Sequence, residues 1–315
     1  MAESKTAVIA ALLGNGALAV LKGVAAASTG SAAMLAETLH SIADTGNQVL
    51  LFLGMRLSER PPDPRHPFGH GKDIYFWAFV VSAMLFSLGG AFSIWEGLHK
   101  FLHITERGAV LAWTYGVLGG AFLFESISLG IAVRALAREK GDTPLWEYWR
   151  DNRDPTLPTV LLEDTAALVS LMIAGGGIWL SQMTGSLVWD SGASALIGVL
   201  LVGVAIVLAL ENYSLLIGEA APQAVETTIR RLVSDDHEVI ALIDLRTMHV
   251  GPQDILVALG IQFRPDLTTA QLEAAIERLQ HAIRKALEGA TNAGLILIEP
   301  TRPGAEASAS PRRMG

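Results

Sequence analysis

Three polar side chains at helical spacing carry the first chemistry in this sequence. His40, Asp44 and Asn47 stand at i, i+4 and i+7, and at about 100° per residue they fall on one stripe of a helix. An imidazole and a carboxylate one turn apart can both bind a divalent cation, His suiting zinc, iron or copper and Asp supplying charge. The same pair, without a cation, reads as an internal hydrogen bond that joins helices. Glu37 lies one turn earlier on a similar face, and Gln48 follows. Two more acids, Glu163 and Asp164, break an otherwise apolar run. Several buried acids without a compensating cation are hard to keep ionised, which favours the cation reading. Adjacent helical residues point about 100° apart, so Asp164 is taken as the ligand and Glu163 as a proton-handling group behind it.

Asp63, His66 and His70 form a D-x2-H-x3-H cluster within Arg60–Lys72, a stretch stiffened by Pro61, Pro62, Pro64 and Pro67. That arrangement fits a second metal site or an entry funnel, and equally a solvated loop that happens to hold two histidines. Other polar residues carry less. His99 and His103 are expected to anchor an interface, and His237, His249 and His281 to lie on the surface of a soluble part. Glu96, Glu125 and Glu211 lie in or near apolar runs, where each lines a wet cavity, pairs with a neighbour such as Lys22, or sits at an interface. Gly175–Gly177 reads as a place for close helix packing.

The frame for these residues is a membrane. The chain has 315 residues, 51% hydrophobic and 17% charged, against roughly 25% charged in an ordinary soluble domain. With 23 Lys+Arg, 31 Asp+Glu and a formal charge of -8, it lacks the basic face that a nucleic-acid binder needs. The absence of Cys excludes disulfides, thiolate zinc sites and a Cys nucleophile, so a soft-metal site must use imidazole and carboxylate. Six segments, approximately 7–28, 32–57, 75–101, 109–137, 157–181 and 187–217, reach the length of about 20 mostly apolar residues that the ~30 Å hydrocarbon layer demands. In the first, Ala25–Ala27 mimics a signal cleavage site, but Lys22 just before it is out of place there, so the segment is read as a retained helix.

With a cytoplasmic N-terminus, the inner side gathers Lys5, Arg56, Arg60, Arg65, Lys72, Arg134, Arg138, Lys140, Arg150 and Arg153, and the outer side only Lys100 and Arg107. The excess of inner positive charge supports that orientation, and an even number of spans then returns the C-terminus to the cytoplasm. After Pro222 the pattern becomes α-β-β-α-β: a helix at about 222–235, strands at 238–248 and 254–264 around the turn Val250–Gln253, a helix at 268–288 and a strand at 295–299. Thr268 or Thr269 is an N-cap candidate for the second of these helices. The expected domains are 1–217, a six-helix transmembrane transport domain; 218–302, a cytoplasmic α+β domain; and 303–315, a disordered tail.

Six spans, His40-x3-Asp44 in the second, the loop Asp63-Pro-Arg-His-Pro-Phe-Gly-His-Gly-Lys72, Gly218-Glu-Ala-Ala221 after the sixth and Asp244-Leu-Arg-Thr247 in the last module together resemble the cation diffusion facilitator family of divalent-metal/proton antiporters. The resemblance runs from residue 7 to about 300. Val160-Leu-Leu-Glu-Asp-Thr-Ala-Ala167 is similar to the branch of that family containing zinc transporter nine. The resemblance implies an α-helical membrane protein, six transmembrane helices followed by a cytoplasmic ferredoxin-like α+β domain. It implies a transport site with His40 and Asp44 on helix two, and with Val160 and Asp164 matching the pair on helix five. Valine cannot ligate, so Glu163, Asn47 or water would complete the set. The loop site matches Asp63, His66 and His70 without substitution. The family's zinc site between cytoplasmic modules matches Ile243, Leu259 and Leu297, with only Glu299 acidic, so it is expected to be absent or rebuilt from His237 or His249.

The implied activity is proton-coupled efflux of a divalent transition-metal cation from the cytoplasm by alternating access, in a homodimer formed through the cytoplasmic domain. Zinc is the first expectation, with iron(II), manganese, cobalt or cadmium open, and protons as the counter-ion. His40 is the expected proton carrier, because an unperturbed imidazole titrates near neutral pH. Metallohydrolase chemistry would want a His-Glu-x2-His site, which the sequence lacks, so an enzyme is not expected. The alternative is a non-transporting membrane metal sensor. With no evident targeting extension, a bacterial inner membrane is the expected location.

Overall fold

The structure, a computed structural model, describes residues 2–103, 112–145, 148, 154–288 and 292–301, with side chains from Asn15 onward. Arg107, Arg150 and Arg153 of the charge count, and the tail 303–315, lie outside the described residues. Long helices follow the six apolar segments closely: α1 (Ala2–Thr29), α2 (Ala32–Ser58), α3 (Asp73–Leu102), α4 (Ala112–Lys140), α5 (Thr156–Thr184) and α6 (Val188–Ile217). By length and composition, α3 to α6 can each cross a membrane. α1 and α2 match them in length, at 28 and 27 residues, but carry the buried Lys22, Glu37, His40 and Asn47. The chain divides into two units, 1–57 with 73–213, and 58–72 with 214–315. The loop between α2 and α3 therefore belongs with the C-terminal part.

In the helical unit, small residues let backbones approach, which is how helices associate where lipid is as apolar as the side chains. A Cβ on Gly97 of α3 would stand 2.7 Å from both Ala195 N and Ser191 O of α6. Of the Gly175–Gly177 run, only Gly177 meets a neighbouring helix that closely, through Trp189 O and Ala193 of α6. The core behind these contacts includes Met34, Leu85, Leu118, Leu171, Ile197 and Leu201.

The α1–α2 turn is fastened by polar groups from two other helices. Ser31 caps α2 by accepting from Met34 N (3.1 Å) and donates its hydroxyl to Asp190 of α6, while Ala32 N donates to Asp190 Oδ2 at 2.7 Å. Lys100 of α3 donates to Gly30 O at 2.6 Å and pairs with Glu96 at 3.1 Å. Asp190 thus satisfies orphan donors at the start of a helix 158 residues away in sequence. Asp190→Ala is expected to cost about 1–3 kcal/mol, read as a lower unfolding midpoint of the detergent-solubilised protein. An unchanged midpoint would show that water replaces the carboxylate.

In the second unit the order is α7 (Gln223–Ser234), β1 (Val239–His249), β2 (Asp254–Phe263), α8 (Thr269–Leu287) and β3 (Asn292–Pro300), the α-β-β-α-β sequence expected. β2 is central, antiparallel to β1 and parallel to β3. Its alternate residues Ile255, Val257, Leu259 and Ile261 are buried in one core with Ile229 and Val233 of α7 and Leu279, Ile283 and Leu287 of α8. This is the period-two pattern of a sheet with one face covered. Thr268 is the N-cap of α8, in a capping box with Gln271.

Candidate metal sites

Within the helical unit, His40 and Asn47 are fully buried on α2, and Asp44 lies between them. His40 Nδ1 lies 3.3 Å from Asp44 Oδ1, within ion-pair distance but without a well-aligned hydrogen bond, and neither His40 nitrogen has a hydrogen-bond partner among the described residues. A buried imidazole beside a carboxylate could hold a cation or a proton.

α5 supplies two acids in different directions. Asn47 donates from Nδ2 to Glu163 Oε1 at 2.7 Å, so Glu163 is bonded across to α2. Asp164 accepts from Ser128 of α4 at 2.8 Å. Both acids lie within electrostatic reach of Asp44, as do Glu125 and Lys22. Glu163, expected as a proton-handling group behind Asp164, is thus tied to helix two. Val160 lies one turn before Asp164, on the same helix.

Lys22 and Glu37 form an ion pair between α1 and α2. Their Nζ and Oε2 atoms are 2.9 Å apart, with both side chains fully buried. Lys22 is therefore not the partner of Glu96, which pairs with Lys100. His99 and His103 stack in a row with Trp95, at ring-centroid distances of 5.3 Å and 4.7 Å, and His103 Nδ1 lies 3.2 Å from His99 O.

The second candidate site lies in the other unit. Asp63 Oδ2 is 3.1 Å from His70 Nε2, and Asp63 Oδ1 is 3.3 Å from His66 Nδ1. Among the described residues, this is the one set of three or more His, Asp and Glu whose ligand atoms all lie within 4.8 Å of one another. The buried set on α2 and α5 is not gathered that tightly. A turn makes the loop cluster: Arg65 N and His66 N each donate to Asp63 Oδ1 at 2.7 Å. Gly69 takes φ +85°, which lets the chain return His70 to the same carboxylate. The His66 amide, then the His70 ring, hold the Asp63 carboxyl well below the usual carboxylate range. Order lent to the loop by these bonds is therefore present above the ordinary carboxylate range and lost only as pH falls through that depressed value. The loop rests on the β1–β2 turn, where a Cβ on Gly71 would stand 2.9 Å from Gly251 Cα. His70 also lines a cavity of about 520 Å³ with Phe68, Val250, Asp254 and Leu295.

The remaining histidines are dispersed. His237 is 75% exposed between Asp236 and Glu238, and His281 is exposed on α8. His249, expected at the surface, is buried, its Nδ1 3.4 Å from Gly251 O. It lies at the end of β1, where the strand turns into the covered loop. Leu259 faces the core, whereas Ile243 and Leu297 are exposed, so these three residues do not share one environment. In the Asp244–Thr247 motif, Arg246 pairs with Asp244 at 2.7 Å, and Thr247 donates to Glu226 of α7 at 2.9 Å.

The sequence pattern of the cation efflux transmembrane domain matches residues 8–217. The mitochondrial proton-coupled zinc antiporter SLC30A9 of Xenopus laevis is 33% identical over 259 residues, covering 81% of this chain and 46% of the relative. Metal tolerance protein C4 of Arabidopsis thaliana is 32% identical over 264 residues, 83% of this chain and 57% of the relative. Magnetosome protein MamM of Magnetospirillum gryphiswaldense is 28% identical over 277 residues, 84% of this chain and 79% of the relative. The chain spans about half the length of the first two of these curated relatives.

Proposed function

The chain belongs to the cation efflux family, and from that premise we propose that it is a membrane transporter, not an enzyme, which carries a divalent transition-metal cation out of the cytoplasm in exchange for protons. The observation that carries the reading is the pairing of α2 and α5 inside the bundle: His40 and Asp44 on one helix, Glu163 and Asp164 on the other, with Asn47 bonded to Glu163. A dication drawn among these groups displaces protons, and reprotonation from the more acidic side weakens coordination and releases it. Glu163 fills the place that Val160 cannot. Zinc is the favoured cargo, supported by the imidazole-plus-carboxylate set and by the zinc antiporter relative; iron(II), manganese, cobalt and cadmium are the competing cargoes.

In this reading α1 and α2 join the four apolar helices as spans, giving six, both termini are cytoplasmic, and the membrane is a bacterial inner membrane. Residues 1–217 form the transport domain. Residues 218–302 form a ferredoxin-like cytoplasmic module through which two copies dimerise, and Asp63, His66 and His70 bind a second cation. The test is metal uptake by proteoliposomes under an imposed pH gradient, with zinc, iron(II), manganese and cobalt, for the intact protein and for Asp44→Ala. Gradient-dependent uptake lost in the variant supports the reading. Equal uptake by both refutes the site, and metal binding without uptake by either favours the sensor.

A further inference from the structure

Lys22 of α1 is the one Lys or Arg that is buried among the described residues. Its Nζ lies 2.9 Å from Glu37 Oε2 and 2.8 Å from Ser41 Oγ. Both partners are on α2, Ser41 beside His40 and Glu37 three residues before it. Among the described residues Glu37 Oε1 is buried without a hydrogen-bond partner, so the pair is not saturated there. As glue between two helices such a pair is a poor device, because well-packed apolar side chains of similar volume hold as well or better. Its position offers another role. The neighbouring bundle holds the carboxyls of Glu37, Asp44, Glu125, Glu163 and Asp164 against this single ammonium, and Lys22 lies within electrostatic reach of His40, Asp44 and Glu125.

We propose that Lys22 is a tethered cation that balances the acids around the buried cargo site between loads and, with Glu37, sets how tightly that site holds a dication. The proposal rests on reading His40, Asp44 and the α5 acids as the cargo site. Lys22 bonds to Glu37 and Ser41 rather than to these and is a positioning charge, not a ligand. Together Lys22 and Glu37 are close to neutral, and either one alone leaves an uncompensated charge in a medium where charges are poorly screened. The two single substitutions therefore act in opposite directions: removing the ammonium attracts the dication, and removing the carboxylate repels it.

The experiment is calorimetric titration of zinc, with manganese(II) as a second probe, into the detergent-purified full chain, reading the component of binding lost in Asp44→Ala. Lys22→Met is expected to tighten that component about tenfold and Glu37→Gln to weaken it about tenfold, while Lys22→Met/Glu37→Gln returns within about threefold of wild type. A lysine that serves only as glue changes stability without this pattern of signs, so unchanged or weaker binding in Lys22→Met overturns the proposal. If Glu37→Gln does not fold, Lys22→Met and the double variant still decide it. Asp44-dependent binding with no response to Lys22 removes the tuning role and leaves the cargo site standing; no Asp44-dependent binding in the wild type overturns both.

Discussion

Glu163→Gln is expected to reduce metal uptake at least about 100-fold, as severely as Asp164→Asn, while leaving the bundle folded. Gln retains an oxygen that accepts from Asn47 Nδ2, the 2.7 Å bond that ties α5 to α2, so the substitution removes a charge and little else. Changing a residue that only orients a ligand costs about 10–100-fold in metal affinity, and losing an anionic ligand should exceed that. The α5 position one turn earlier is Val160, which has no donor atom to compensate. Uptake rates compared at matched unfolding midpoints check the prediction. Near-normal uptake in Glu163→Gln, alongside a dead Asp164→Asn, would return Glu163 to a supporting role and leave water to complete the site.

Gly198→Val should be strongly damaging. A Cβ there would stand 2.7 Å from Gly90 O, Ile94 N and Ile94 Cγ1, two of them backbone atoms that cannot rotate away. Opposite it, α3 widens into a π-helical turn at Leu85–Ala91, and a Cβ on Gly90 would stand 3.1 Å from Val202 N. The α3–α6 contact is thus backbone against backbone. Forcing a branched side chain into it is expected to cost about 3 kcal/mol, at the upper end of the usual range for overpacking, and to lower the unfolding midpoint markedly. Gly203→Val, on the same helix where a Cβ meets nothing within 4 Å, is the control and should be close to neutral.

Some of this was legible in the sequence, and physics explains the division. The apolar segments declared the helices because length and hydropathy are local properties; α2 was expected at 32–57 and runs Ala32–Ser58. Thr268 announced the start of α8 because a capping box is written within four residues. Asp63, His66 and His70 converge because a short proline-rich loop with Gly69 at positive φ leaves them few alternatives. What sequence could not give is how a helix is rotated against its neighbours. Glu163 and Asp164 are adjacent, and only packing decides which one meets Asn47 and which one meets Ser128. The Lys22–Glu37 pair joins separate helices, and a lysine inside an apolar segment offered the only sequence signal for it. Asp190 was invisible as a cap for α2 because its partner Ala32 lies 158 residues away in sequence, with Ser31 beside it.

Exchange of a dication for protons at the α2–α5 site can be followed directly by recording lumenal pH and metal content together in sealed proteoliposomes. Metal entry is expected to be matched by proton movement in the opposite direction, collapsing the pH gradient to stop accumulation, and His40→Ala to abolish both signals. Metal entry with no accompanying proton movement, or coupled exchange that survives loss of His40, would contradict it.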